Sequence, residues 1–95
     1  MKIVLTEPAL ADLEAVRRHT AMNYPQHVSK IVRRFRQIVA RVADMPAGFP
    51  SAVNFPDVRV ALMRPYPYKI LYRSRAGILQ ILRIIHSARS DFKLD

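Results

Sequence analysis

The sequence contains no cysteine, which excludes a disulfide framework, a thiol nucleophile and a thiolate zinc site. It has only two glycines, while 51% of its residues are hydrophobic, and this composition is typical of a packed chain rather than a disordered or repetitive one. No apolar run approaches the length that crosses a membrane. Glu7 and Pro8 interrupt the amino-terminal apolar run, so we expect no signal peptide and a cytoplasmic protein.

Acidic residues are also scarce. Seven Asp and Glu stand against sixteen Lys and Arg, which gives a formal net charge of +9 over 95 residues. A charge this large favours acidic partners such as nucleic acid, the ribosome or an acidic protein, although a merely solvated surface would show the same balance. The length leaves room for one modest core, so residues 1–95 are expected to form a single domain.

Two helices are predicted in the first half of the chain. Thr6, Glu7 and Pro8 are typical of a helix start, and Ala9, Leu13 and Val16 then recur at helical spacing. Tyr24-Pro25 interrupts the pattern, and a second helix is expected from Val28 to about Ala43. Because the break is short, the helices should form a hairpin. The arginines of the second helix are either simply solvated or available to a partner.

Strands are predicted on both sides of this hairpin. Lys2 to Leu5 is a short β-prone run, and residues 58–63, 68–73 and 78–85 show alternating or continuous apolar character. A proline-rich crossing, Asp44 to Pro56, leads into these last three runs. The predicted fold is therefore α+β, in the order β-α-α-β-β-β, with the hairpin on one face of a mainly antiparallel sheet of three or four strands.

The two sheet faces should differ in character. If the helices cover the face with Val58, Val60, Leu62 and Ile70, the other face is open and cationic. That open face would carry four basic residues, Arg59, Lys69, Arg73 and Arg83.

The second half of the chain carries a family resemblance. The segment from Pro67 to Arg73, followed by Ile81 to Arg89 with His86, resembles the C-terminal half of RelE/ParE toxins. It looks like their Tyr-x-x-x-Tyr strand followed by an apolar strand that ends in His-x-x-Arg. The element order, length and basic charge match the same superfamily, with its ParE-like branch favoured below.

The resemblance implies the toxin of a type II toxin–antitoxin system. Such a toxin is neutralised by a cognate antitoxin in a hetero-oligomer that represses its own operon, and it contacts operator DNA only through the antitoxin. RelE-like members cut mRNA on the ribosome, whereas ParE-like members inhibit DNA gyrase and need no nuclease site. The resemblance implies no cofactor.

The residues favour the gyrase inhibitor over the nuclease. By resemblance, Lys69 and Arg89 fall where RelE-like nucleases have functional arginines, but Val60 and Leu62 replace the expected lysines, and residues 92–95 supply no late tyrosine. If the protein is instead a ribosome-dependent endoribonuclease, its candidate catalytic residues are Arg64, Lys69, His86 and Arg89.

Several side chains keep two interpretations. His86 is either a general acid or base, or a histidine that closes the last strand. Arg83 and Arg89 would bind phosphate, antitoxin carboxylates, or Asp91 and Asp95 of their own tail. The candidate target- or antitoxin-binding residues are Arg59, Lys69, Arg73, Arg83, His86 and Arg89.

The remaining aromatic and imidazole side chains have a more structural interpretation. Tyr68 and Tyr72 are either core aromatics or a stacking platform for bases, and the core is the favoured interpretation. His19 and His27 have no carboxylate or histidine at ligand spacing, so no metal site is expected.

Overall fold

The computed structural model describes residues 1–94, and Asp95 lies outside the described residues. A strand, two helices and a series of strands follow one another as the sequence pattern predicts. A 3-10 turn, Pro25–His27, lies between the helices. In chain order the helices and strands are β1 (Lys2–Leu5), α1 (Glu7–Asn23), α2 (Val28–Asp44), β2 (Ser51–Ala52), β3 (Phe55–Leu62), β4 (Tyr68–Arg75) and β5 (Ile78–His86).

The start of α1 is capped by the residue that the sequence suggests. Thr6 Oγ1 accepts a hydrogen bond from the Ala9 amide at 3.2 Å, and Pro8 occupies the first turn. The same hydroxyl donates to the Leu82 carbonyl at 3.0 Å. Thr6 therefore both begins the helix and fastens it to β5.

The sheet has five strands in the order β1-β5-β4-β3-β2, one more than the upper bound of the predicted three to four. The extra strand is β2, a two-residue segment inside the proline-rich crossing that pairs with β3. β1 returns to pair in parallel with β5, and the other pairings are antiparallel, so the predicted α+β fold is confirmed.

The link between β4 and β5 is shorter than the sequence suggested. Only Ala76 and Gly77 separate the two strands, and both have positive φ, at 50° and 76°. Two consecutive positive φ values are characteristic of the tight hairpin turn whose twist matches that of the flanking strands. This turn sets the register of β4 on β5 from Arg75 to Tyr72, and a β-bulge at Leu82 then shifts the register by one residue from Leu71 onward.

The helices cover a different face of β3 from the one expected. The main core joins Ile31, Phe35 and Ile38 of α2 to Ala61 and Met63 of β3, together with buried residues of β4 and β5. Val58 and Val60 lie on the opposite face, so the expectation that the helices cover them was wrong. A shift of one residue in a strand exchanges its faces, and both alternating sets of β3 are apolar.

The face away from the helices is also covered. Ala52, Val58, Leu71, Leu82 and Ile85 form a second buried cluster there. The C-terminal segment packs on this cluster through Phe92 and Leu94, with Phe55 and Val60 beside them. The sheet is consequently apolar on both sides, as its near-continuous apolar strands require.

Asp12 of α1 stabilises the edge of β5 where β1 has ended. Its carboxylate accepts from the Ile84 amide at 3.0 Å and from Arg83 Nε at 2.6 Å and Nη2 at 3.0 Å. This hydrogen bonding raises the pKa of the Arg83 guanidinium. The two side chains are only 14% and 16% exposed, so water screens the ion pair little.

Within residues 1–94, no helix combines the length and the apolar character that crossing a membrane requires.

We predict that Asp12→Ala lowers the free energy of unfolding by about 2 to 3 kcal/mol, because it leaves the Ile84 amide and the Arg83 guanidinium without their acceptor. Urea denaturation at neutral pH measures the change. Glu14→Ala is the matched control, since Glu14 is on the same helix and bonds Arg17 at 2.7 Å, but with both side chains about half exposed. The control should change stability far less, because water screens an exposed ion pair. Equal losses in the two variants would contradict the special role of Asp12.

Candidate functional site

The C-terminal segment, residues 87–94, turns back from β5 across the sheet. The Phe92 ring lies 5.7 Å from the Phe55 ring, and Lys69 Nζ lies 5.9 Å from the centre of the Phe92 ring. The Lys69 ammonium group therefore lies near the face of the Phe92 ring, above the sheet. The expected open face is partly occupied by the protein's own chain.

Two arginines stabilise this segment, Arg83 from β5 and Arg89 from within the segment itself. Arg83 Nη1 donates to the Lys93 carbonyl at 2.6 Å, and Arg89 Nε donates to the Asp91 carbonyl at 3.1 Å. Arg89 also lies 3.6 Å from the Asp91 carboxylate, which confirms one own-tail contact considered from the sequence. Asp95, the other acid considered, lies outside the described residues.

An open hollow of about 520 Å³ lies beside this segment. Arg83, Arg89, Asp91, Phe92 and Lys93 line it. Cations outnumber the one carboxylate, so the hollow is suited to an anionic group such as a carboxylate or a phosphate. We call it the tail hollow.

His86 ends β5 and is engaged with its neighbours. Its ring lies edge-on to Tyr68, with centroids 6.2 Å apart, and its Nδ1 accepts from the Ala88 amide at 3.1 Å. The arrangement matches the strand-closing interpretation.

The residues proposed for RNA cleavage come from one end of the sheet but not from one face. Tyr68 pairs directly with His86, and Lys69 pairs with Ile85. Tyr68 packs against the core under the helices, whereas Ile85 belongs to the opposite cluster. Lys69 and His86 therefore project from opposite faces of the sheet. Arg64 precedes β4 in the loop that α2 contacts, through a hydrogen bond from Arg34 Nε to the Arg64 carbonyl at 2.6 Å.

Two other basic candidates occupy separate positions. Arg59 pairs with Tyr72 and donates to the Phe49 carbonyl at 2.6 Å, so it lies on the helix side and not on the expected open face. Arg73 bonds Gln80 at 2.9 Å and lies 3.4 Å from Asp57. The predicted cationic face is thus divided, and most of its side chains have partners within the chain.

Tyr72 is a core residue. Its hydroxyl donates to the Pro46 carbonyl at 2.7 Å and its ring meets Phe49 edge-on, which fastens the proline-rich crossing to the sheet. Burial raises the pKa of the Tyr72 phenol. This ring is unavailable for base stacking, whereas Tyr68 is only half buried.

A second cavity was not predicted. It has a volume of about 330 Å³ and lies between the helix–helix link and the loop before β4. His27 meets Tyr66 edge-on at 6.3 Å there, and His27 Nδ1 is buried without a hydrogen-bond partner among the described residues. Its lining is His19, Thr20, Tyr24, His27, Ile31, Tyr66, Pro67 and Tyr68.

One signal for this aromatic cavity was present in the sequence. Tyr-Pro pairs stand both at the helix break and before β4, at Tyr24-Pro25 and Tyr66-Pro67. Only the tertiary contact of the two links shows that they share a cavity. Among residues 1–94, no group of three or more His, Cys, Asp and Glu is arranged to hold a metal ion.

We predict that Phe92→Ala lowers the free energy of unfolding by about 1 to 2 kcal/mol, since a half-buried aromatic is removed from the second cluster. Hydrogen exchange of the Leu71 and Leu82 amides, compared with the wild type, reports whether the segment has left the sheet. Val53→Ala, at a side chain that is 84% exposed, is the control and should have little effect. An unchanged stability in Phe92→Ala would contradict a stabilising contact between the Phe92 ring and the sheet.

Comparison with known proteins agrees with the resemblance seen in the sequence. A solved structure described as the chromosomal ParDE toxin–antitoxin system from P. aeruginosa superposes with a TM-score of 0.79 at 26% sequence identity, covering 90% of this chain and 95% of that chain. No curated protein matches the sequence. The family described as the ParE toxin of the type II toxin–antitoxin system parDE matches residues 3–91. Because that match spans nearly all of the sequence, the chain belongs to the ParE toxin family.

Proposed function

We propose that this ParE-family toxin acts as a binding protein that inhibits DNA gyrase, and that it carries no nuclease site. The observation that carries the proposal is the placement of Lys69 and His86 on opposite faces of the sheet. Cleavage of RNA would need a proton acceptor, a cation and an acid around one phosphate. A side chain on each face cannot meet that requirement.

The neighbouring positions support the same function. Val60 packs on the second cluster and Leu62 is exposed on β3, so neither supplies the cation that a RelE-like nuclease would place there. His86 Nδ1 already accepts the Ala88 amide, and Arg89 already contacts Asp91. These contacts suit a stable surface rather than a reacting centre.

The partner that neutralises the toxin is proposed to be a cognate antitoxin in a cytoplasmic hetero-oligomer. The net charge of +9 supports an acidic binding segment. The tail hollow offers Arg89 and Lys93 to carboxylates, and Lys69 lies over the Phe92 ring that also lines the hollow. The sequence-specific contact with operator DNA is assigned to the antitoxin.

The aromatic cavity supplies the apolar contact that such a partner needs. Protein interfaces are centred on buried apolar or aromatic anchors, with charged groups at the rim. A cavity of about 330 Å³ that is lined mainly by rings accommodates one large apolar side chain.

The first test is inhibition of gyrase supercoiling by the purified toxin, beside a ribosome-programmed mRNA cleavage assay at matched concentrations. We expect supercoiling to stop, mRNA to stay intact, and added antitoxin to restore supercoiling. Arg89→Ala separates the alternatives, because its loss would abolish an mRNA interferase. Ribosome-dependent cleavage that disappears in Arg89→Ala would contradict the gyrase proposal, as would inactivity in both assays.

The second test follows from the charge. Association of toxin and antitoxin should slow by about tenfold between low and high salt, since opposite charges steer the encounter and are screened within about 8 to 10 Å. Stopped-flow mixing over a salt series measures the on-rate, and the off-rate of the same complex is the internal control, because it should change much less. An on-rate independent of salt would contradict electrostatic steering.

A further inference from the structure

The outer face of α2 carries four exposed cations, Lys30, Arg33, Arg36 and Arg41, which we call the basic ridge. Every strongly apolar side chain of α2 that is buried lies on the other side of the helix, in the main core. The only acid of α2 is its last residue, Asp44. The ridge is therefore of one sign from its first cation to its last.

The basic ridge has no acidic partners within the part of the chain that the structure describes. None of its four side chains lies within 4.0 Å of a carboxylate there. The contrast is with α1, where Arg17 and Arg18 both lie near Glu14. Four like charges on one helix face repel each other, so the ridge is unfavourable to the isolated protein and is relieved by an anionic ligand.

The spacing of the ridge fits a row of charges. Lys30, Arg33 and Arg36 follow one another at intervals of three, and Arg41 lies about three helical turns after Lys30, above it on the same side. The row extends over about 16 Å at 1.5 Å of rise per residue. That length exceeds a single carboxylate and matches several consecutive phosphates of a nucleic-acid strand.

The composition of the ridge selects nucleic acid over a protein. The other exposed residues on this face are Ser29, Gln37, Ala40 and, at the C-terminal end of the helix, Asp44, so the face contains no large apolar side chain to act as an anchor. Protein interfaces have an apolar centre, whereas interfaces with DNA are more polar and far more positively charged. The aromatic cavity and the tail hollow, which do suit a protein, are built from other residues.

We propose that the basic ridge binds the phosphate backbone of double-stranded DNA without regard to its sequence. This contact stands beside the gyrase proposal and does not depend on it, because it involves the toxin and a duplex alone. It also differs from reading of the operator, since phosphate contacts carry no base information. The ridge would hold the toxin on the polymer on which gyrase works.

The test uses the full-length toxin and a fluorescent duplex of arbitrary sequence, with anisotropy measured over a salt series. For wild type we expect log K to fall with log salt at a slope of about −3 to −4, as roughly four phosphate contacts require. Arg33→Ala with Arg36→Ala should weaken binding about tenfold or more at low salt and make the slope shallower by about 2. Arg33→Lys with Arg36→Lys should keep most of the affinity, because lysine retains the charge.

The matched control is Arg17→Ala with Arg18→Ala, which removes the same charge from exposed positions on α1. It should change the affinity by less than about threefold, and circular dichroism checks that every variant is folded. If the two double variants weakened binding equally, net charge alone would explain the effect, and the proposal would be overturned.

A poly-glutamate peptide is the second probe, because it presents carboxylates in place of phosphates. The proposal requires a larger loss of duplex binding than of peptide binding in the α2 variant. A loss confined to the peptide, or no duplex binding by wild type at low salt, would overturn it.

Discussion

The carboxylate of Asp12 connects three parts of the fold through hydrogen bonds and an ion pair that are largely shielded from water. It lies on α1, it accepts the Ile84 amide of β5, and it holds Arg83, whose other nitrogen reaches the Lys93 carbonyl of the C-terminal segment. β1 pairs with β5 only as far as Ile81, so without Asp12 the Ile84 amide farther along this edge would lose its hydrogen-bond acceptor. The helical layer, the sheet and the segment that covers its second face are thus positioned around one side chain.

The order and type of the elements could be predicted because their signals are local. Thr6 and Pro8 mark a helix start, the stripe of α2 has a strong helical period, and the chain from Tyr68 onward reads as paired strands. The two-residue strand β2 could not be predicted, because a segment of that length shows no period and the surrounding prolines indicate a loop.

The assignment of faces could not be predicted from β3, for a physical reason. Val58 and Val60 alternate with Ala61 and Met63, and each set is apolar enough to face a core. Which face of β3 the helices cover depends on a segment distant in sequence. Phe92 and Leu94 cover one face, and the helices cover the other. The same ambiguity misplaced Arg59, and the position of Phe92 over Lys69 was not predicted, because it depends on the path of the tail. The aromatic cavity could not be predicted either, because it forms where two links that are about forty residues apart in the sequence meet.

The segment packed on the second face has a consequence for any ligand of that face. A partner that needs the surface beneath Phe92 binds only those molecules in which the segment has detached, so its apparent dissociation constant is the intrinsic constant divided by the detached fraction. Each tenfold tightening of the intramolecular contact then weakens such a partner tenfold. The C-terminal segment thereby competes with such a partner from within the same chain. Its effective concentration is set by the few residues that separate His86 from Phe92.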